Sequence, residues 1–202
     1  MTSVITGDII NSKNVKPAIW LPQLKDALTF LESDTRLWEI YRGDSFQIEI
    51  ETPQNSFLHA VYIKAYIKMI KGLDVRIAIG IGTKTYQGET VTESNGEAFQ
   101  FSGETLENLK KDKINLKLKT SDTILNRDMN LYFKLAMISM DNWTVNSAEI
   151  IKTQIENPHK IQSEIAQLIG INQEAVSKRM KRANLEEILE LNNLYIIKIS
   201  NL

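Results

Sequence analysis

The chain has 202 residues, no cysteine, 43% apolar and 24% charged residues, and a formal net charge of −1 at pH 7. Those values suit a globular chain of one domain, or one domain with a small appendage, and they exclude disulfides, thiolate zinc sites and a cysteine nucleophile. With His59 and His159 as the only histidines, a multi-histidine metal site is not expected, and near-neutral charge means that contact with nucleic acid or an anionic membrane needs a local patch.

In chain order, "TSVITGDII" (2–10) reads as a strand ending in a Gly-Asp turn, with Val4 and Ile5 supplying β-branched bulk. Pro17 and Pro22 punctuate the next stretch, and "QLKDALTFLES" (23–33) sets Leu24, Ala27, Leu28 and Leu31 at helical spacing. "RLWEIYR" and "SFQIEI" form a hairpin around Gly43-Asp44. In its second arm Phe46, Ile48 and Ile50 alternate with Gln47, Glu49 and Glu51, which predicts one buried and one wet face. "PQNSFLHAVYIKAYIKMIKG" (53–72) opens on Pro and stops at Gly, as a capped helix does. A strand is expected over 74–82, a helix over 96–111, a strand over 114–120 and an amphipathic helix over 127–143. Everything from 144 to 190 reads as helical, and "NNLYIIKIS" (192–200) reads as a terminal β-like run. The order predicts an α+β sheet with helices on one face, with domains at 1–142 and 143–202. No apolar run approaches the roughly 18 residues of a transmembrane helix, so a cytoplasmic location is the default expectation.

Two turns carry the first domain's chemistry, "TGDIINS" (6–12) and "RGDSF" (42–46). If the first strand lies beside the hairpin, Asp8 and Asp44 face each other at a sheet edge. Two close carboxylates need a proton or a cation between them, and paired Asp side chains with phosphate oxygens are a usual Mg²⁺ cradle. Lys13, Arg42, Arg76 and Lys84 are the cations placed to meet phosphate, Arg42 first because it adjoins the turn. The competing reading is that each Gly-Asp is an ordinary turn whose Asp caps its own backbone.

These motifs resemble the class III nucleotidyl cyclase catalytic fold that GGDEF-type and CRISPR-associated palm domains share. "GDIINS" resembles the first-strand signature, "RGDSF" the metal-binding hairpin, "RIAIGIGTK" the strand ending near the base, and "GEAFQFSGETL" the segment after it. The resemblance implies a ferredoxin-like palm domain in which Asp8 and Asp44, with the Ile9 backbone, hold metal. It also implies that Asn11, Ser12, Arg42 and Gly43 meet nucleotide phosphates. It departs at Gln100 and Glu104, which stand at the family's Asn and Arg positions. An acid where a cation should stabilise the transferring phosphate favours binding without turnover. Ser45, in place of the second acid of GGDEF, speaks against a diguanylate cyclase.

The tail carries the sharpest local signal, "HKIQSEIAQLIGINQEAVSKRMKRANL" (159–185). Numbered as a helix-turn-helix from Gln162, it puts small Ala166 at the helix crossing, Gly170 where the turn needs positive φ and Asn172 at the second helix's cap. Gln162 or Ser163 would start the first helix. Ile165, Ile169, Ile171 and Val176 would form the core between the helices. The second helix, 173–184, would present Gln173, Glu174, Ser177, Lys178 and Lys181, with Arg179 and Arg182 completing a basic run suited to phosphate. The stretch 143–185 resembles the helix-turn-helix of sigma factors and LuxR-type regulators. Asn172, Gln173, Ser177, Lys178, Lys181 and Arg182 are its candidate DNA contacts; an αα-hairpin or protein-binding module is the alternative.

The whole layout is similar to the SatD family of bacterial proteins, which sharpens the fold more than the function. Three functions stay open. The first is a regulator that binds DNA through its tail and senses a nucleotide or phosphate ligand with Mg²⁺. The second is a nucleotidyl cyclase or palm-type nucleotidyltransferase with the tail as localiser. In the third, the domain has lost its ligand and supports a homodimer through pairing of 192–200.

Overall fold

The computed structural model describes all 202 residues. Five strands and eight α-helices run in the order β1 (Thr2–Ile10), α1 (Pro17–Leu31), β2 (Trp38–Tyr41), β3 (Ser45–Ile50), α2 (Ser56–Lys68), β4 (Asp74–Gly82), α3 (Glu97–Asp112), β5 (Leu116–Lys119), α4 (Thr123–Met140), α5 (Val145–Glu156), α6 (Gln162–Ile169), α7 (Gln173–Ala183) and α8 (Leu185–Ile199). Short 3₁₀ turns at Ser12–Asn14 and Pro53–Asn55 lead towards α1 and α2. The fold is α+β, as expected. No helix is long and apolar enough to cross a membrane.

The sheet order is β2-β3-β1-β4-β5. β1 lies at its centre, antiparallel to β3 on one side and β4 on the other, while β5 runs parallel to β4. Strand alternation sorts β1 into two faces. Ile5 and Ile9 join the large core against α1 and α2, with Leu24, Leu28, Phe46, Ile48, Ile63, Ile77 and Ile79. Val4 packs instead with Val91, Ala98 and Phe99, and the Thr6 hydroxyl donates to Ser102 Oγ at 2.9 Å.

Helices therefore cover both faces of the sheet, not one. The reason lies in β4: a Cβ on Gly80 would run into the Ala98 carbonyl and the Ser102 amide, so a glycine there lets α3 lie directly on the strand. The parallel β4–β5 pair needs a crossover helix, and α3 is that crossover. The expected wet face of β3 is also covered. Glu49 is 3% exposed, where Lys84 Nζ meets it at 2.6 Å and the Thr2 hydroxyl donates to it at 3.0 Å.

Two element boundaries move for local reasons. α1 opens at Pro17, its first helical position, where proline's missing N–H costs nothing, and it tolerates Pro22 early in the helix. α4 starts at Thr123 rather than 127, because Asp122 accepts from the Ile124 and Leu125 amides at 2.8 and 3.0 Å, a side-chain N-cap.

The larger correction is the C-terminus. Residues 192–200 are not a β-like run: 192–199 are the second half of α8, and Ser200 is its C-cap. Its buried positions Leu185, Ile188, Asn192, Tyr195 and Ile199 keep helical spacing; read from Asn192 alone, half of that stripe is lost. Tyr195 packs 5.7 Å from the Phe57 ring and donates to the Pro53 carbonyl at 3.1 Å. A strand-pairing homodimer through 192–200 therefore has no strand to use. The core is also continuous across residue 143: Phe133, Met140, Trp143, Ile151, Ile165, Val176 and Tyr195 belong to the same cluster as Ile5.

Candidate functional site

β1 runs past Gly7-Asp8 to Ile10, so the first Gly-Asp lies inside a strand and not in a turn. Asp8 pairs with Ser45 on β3 and Arg76 on β4, and the Ile9 amide donates to the Asp44 carbonyl at 3.0 Å. The two Gly-Asp motifs are thus neighbours through their backbones. Their carboxylates have separate partners. Asp8 Oδ2 receives Arg76 Nη1 at 3.1 Å and stands 3.5 Å from Lys110 Nζ of α3. Asp44 accepts from the Ser12 hydroxyl at 2.5 Å.

Asp8 Oδ1 and Arg76 Nε are both buried without a hydrogen-bond partner. Unpaired buried polar atoms are costly, and these two lie on side chains that already share an ion pair. Next to it, burial pushes the Tyr41 hydroxyl above its ordinary pKa; Arg42 opposes that shift, while Asp8 and Glu39 add to it.

A cleft of about 650 Å³ opens between the Ser12–Asn14 turn, the start of α1 and the hairpin turn, and Ser12, Lys13, Lys16, Trp20, Arg42 and Asp44 are among its walls. Gly43 lines it too. Three cations face one carboxylate here. The 15-residue helix α1 begins at the cleft with no side-chain cap; Pro17 has no N–H and Ile19 already donates to the Lys16 carbonyl at 2.9 Å, so it is the positive end of the helix dipole that favours an anion. Trp20 is buried and its Nε1 has no acceptor. Arg42 takes φ 50°, a left-handed conformation uncommon outside glycine. Of the expected phosphate contacts, Ser12, Arg42 and Gly43 come together. Asn11 does not, because its side chain donates to the Gly72 carbonyl at 3.2 Å.

Nowhere do three or more His, Asp or Glu side chains gather as ligands for a metal. Arg76 and Lys110 already offset the charge of Asp8, so the protein alone offers too few oxygens for a resident Mg²⁺. Asp8 Oδ1 is a buried oxygen without a partner.

The positions of departure from the cyclase pattern are legible in space. Glu104 Oε2 binds Lys119 at 2.5 Å on an exposed face, and Gln100 Nε2 contacts Asn95 at 3.4 Å. Lys110, further along α3, is a second cation beside Arg76 that reaches Asp8, and no local pattern in the sequence marks it. Lys16 and Trp20 escape a sequence reading as well: Pro17 read as punctuation hides the helix start that carries them. Lys84 is spent on Glu49.

In the tail, α6 ends on Gly170 at φ 69°, and Asn172 caps α7 by accepting from the Ala175 amide at 2.8 Å. Ile165, Ala166 and Val176 are buried between the helices. α6 starts at Gln162, one of the two expected starts, with Ile161 at the N-cap position, and Glu164 reaches back to the Ile161 amide at 2.9 Å. Asn172, Gln173, Ser177, Lys178, Lys181 and Arg182 are all exposed. The basic run is partly engaged: Lys178 pairs with Glu174 and Arg179 braces α7 on Glu149, each at 2.5 Å. Lys181 and Ser177 share a groove with Glu186, Glu187 and Glu190 of α8, an acidic wall that the packing of α8 beside α7 creates.

The chain matches no protein-family model, no curated protein and no solved structure.

Proposed function

We propose that the protein is a regulator in which the sheet domain binds a nucleotide or other polyphosphate and the α6–turn–α7 unit meets DNA as a helix-turn-helix. The observation that carries the reading is the cleft at the start of α1, where Lys13, Lys16, Arg42 and Ser12 surround the first turn of the helix beside Asp44. The β2-β3-β1-β4 order, with α1 and α2 on one face, supports the ferredoxin-like palm reading and, with the quoted motifs, the resemblance to the SatD family. Asp8 Oδ1 and the Asp44 carboxylate would hold Mg²⁺ carried in by the phosphates, and the ion would offset phosphate charge there. Arg42 and Lys16 would grip the outer phosphates, and Ser12 would orient Asp44.

The tail shares a hydrophobic core with the sheet, so a ligand that favours one packing of that core biases the other part, provided the two arrangements differ in affinity. The test is thermal unfolding with each of ATP, GTP, CTP and UTP, with and without Mg²⁺, on the native chain, Arg42→Ala and Asp44→Asn. A Mg²⁺-dependent rise with one nucleotide, lost in both variants, is expected. No rise with any of the four would refute the ligand part.

A second reading, a nucleotidyl cyclase or nucleotidyltransferase, is favoured by one observation: Arg76 and Lys110 supply cations at Asp8 where Glu104 does not. Pyrophosphate release from any of the four nucleotides would promote it; silence in all four would remove it.

A further inference from the structure

α4 carries an apolar stripe that nothing in the chain covers. Leu131, Leu135 and Ile138 are 56%, 56% and 68% exposed, and their spacing, continued backwards to exposed Ile124, is that of one helix face. The helix is about 27 Å long, and its opposite face, Leu125, Met129, Phe133, Met137 and Met140, supplies the core. A helix apolar on both sides is made to be covered on both.

Beside the stripe lies a groove of about 700 Å³ between α4 and α8, lined from α4 by the stripe's own Leu135 and Ile138 with Tyr132 and Ala136, from α8 by Glu187, Ile188 and Leu191, and by Arg182 of α7. Leu135 and Ile138 thus belong to the ridge and also form one wall of the groove beside it. Such a patch is complementary to itself, which is what a two-fold contact requires. The charges agree. Lys134 flanks the ridge on the side away from the groove, Glu187 stands on the groove's far wall, and both are exposed. Neither takes part in an ion pair within the chain. Seating the ridge of one copy in the groove of another carries Lys134 towards Glu187 of the other copy, twice over.

We infer that this face is a homodimer interface, with Leu131, Leu135 and Ile138 of each copy entering the α4–α8 groove of the other. The inference stands apart from the ligand reading, whereas Arg182, a candidate DNA contact, lines the groove that the second copy would fill. It replaces the strand pairing that α8 rules out.

The experiment is sedimentation equilibrium of the full chain, with circular dichroism as the check on folding. The wild type is expected at twice the 23.1 kDa chain mass, and Leu135→Glu and Ile138→Glu at one chain mass with unchanged helicity. Ile161→Glu, at a position 66% exposed on another surface, should leave the dimer intact. Lys134→Glu should weaken association about tenfold or more, and the double variant Lys134→Glu/Glu187→Lys should restore it. A wild type that stays monomeric up to roughly 0.1 mM, or a dimer indifferent to both glutamate substitutions, overturns the interface. Failure of the double variant to recover overturns the seating of α4 against α8.

Discussion

Lys64 of α2 donates to Asp141, just past the end of α4, at 2.8 Å and to Asp74 at the start of β4 at 2.6 Å, although its side chain is only 2% exposed. Lys68 completes the cluster on the second oxygen of Asp74 at 3.0 Å. The cluster ties the sheet to the hinge that leads into α5. A buried ammonium is tolerable only while paired, so the cost of mutation depends on which partner goes. Asp74→Asn leaves two lysines short of their shared acid and is expected to cost about 3 kcal/mol. Lys64→Met removes the buried charge and leaves Asp74 to Lys68, so it should cost clearly less. Urea unfolding of the two variants decides; equal losses would mean that burial of the charge is not what sets the energetics.

The His59 imidazole, held in α2 with Nδ1 lacking a partner, has its pKa lowered to about 4 by burial. The unfolded chain, with an ordinary pKa near 6.5, then binds more protons than the folded one between these values. The stability from keeping His59 neutral is therefore present above about pH 6.5 and is lost as pH falls towards 4. A loss of the order of 2 kcal/mol is expected over that window. His59→Gln should flatten the slope between pH 6.5 and 4 in chemical denaturation. An unchanged slope would assign the acid sensitivity to other groups.

The elements legible in the sequence are those whose signal is local. β4 and β5 come from alternation, and the turn between α6 and α7 comes from Gly170 and the Asn172 cap, because a positive φ and a side-chain cap are decided within a few residues. The backbone proximity of the two Gly-Asp motifs is legible for the same reason: a hairpin beside a strand brings its turn to the strand's end. What stays hidden is tertiary. Only the packing of α3 on Gly80 covers the second face of the sheet, and only that packing brings Lys110 to Asp8. α8 is hidden by where its stripe is cut, and only its packing beside α7 brings the acids to Lys181.

Asp8 has two possible roles that one substitution separates. If its free Oδ1 receives a cation that enters with a polyphosphate, Asp8→Asn abolishes the Mg²⁺ dependence of ligand-induced stabilisation. If Asp8 serves only to neutralise Arg76 and Lys110, removing its charge strengthens polyphosphate binding without Mg²⁺, because two cations are released. Titration of Asp8→Asn with tripolyphosphate by calorimetry, with and without Mg²⁺, gives the sign. In either case Arg42→Ala should weaken binding about tenfold, the loss of one charge-assisted contact. Unchanged affinity in Arg42→Ala would move the phosphate out of the cleft.

DNA binding by α7 must work against its own neighbourhood. Lys178 is shared with Glu174, Arg179 is committed to Glu149, and Lys181 looks into a groove walled by Glu186, Glu187 and Glu190. The free positive charge is then small, so the wild type should bind DNA weakly, with a shallow salt dependence because few phosphates are neutralised. Lys178→Ala with Lys181→Ala should remove what binding there is at low salt. The informative variant runs the other way. Glu186→Gln with Glu190→Gln leaves every basic residue in place and removes two like-sign repulsions with phosphate, so it should strengthen binding severalfold. Fluorescence anisotropy with a random duplex, at two salt concentrations, measures all three proteins. If the neutralised variant binds no better than the wild type, α7 does not approach a phosphate backbone, and the α6–turn–α7 unit is a protein-packing element.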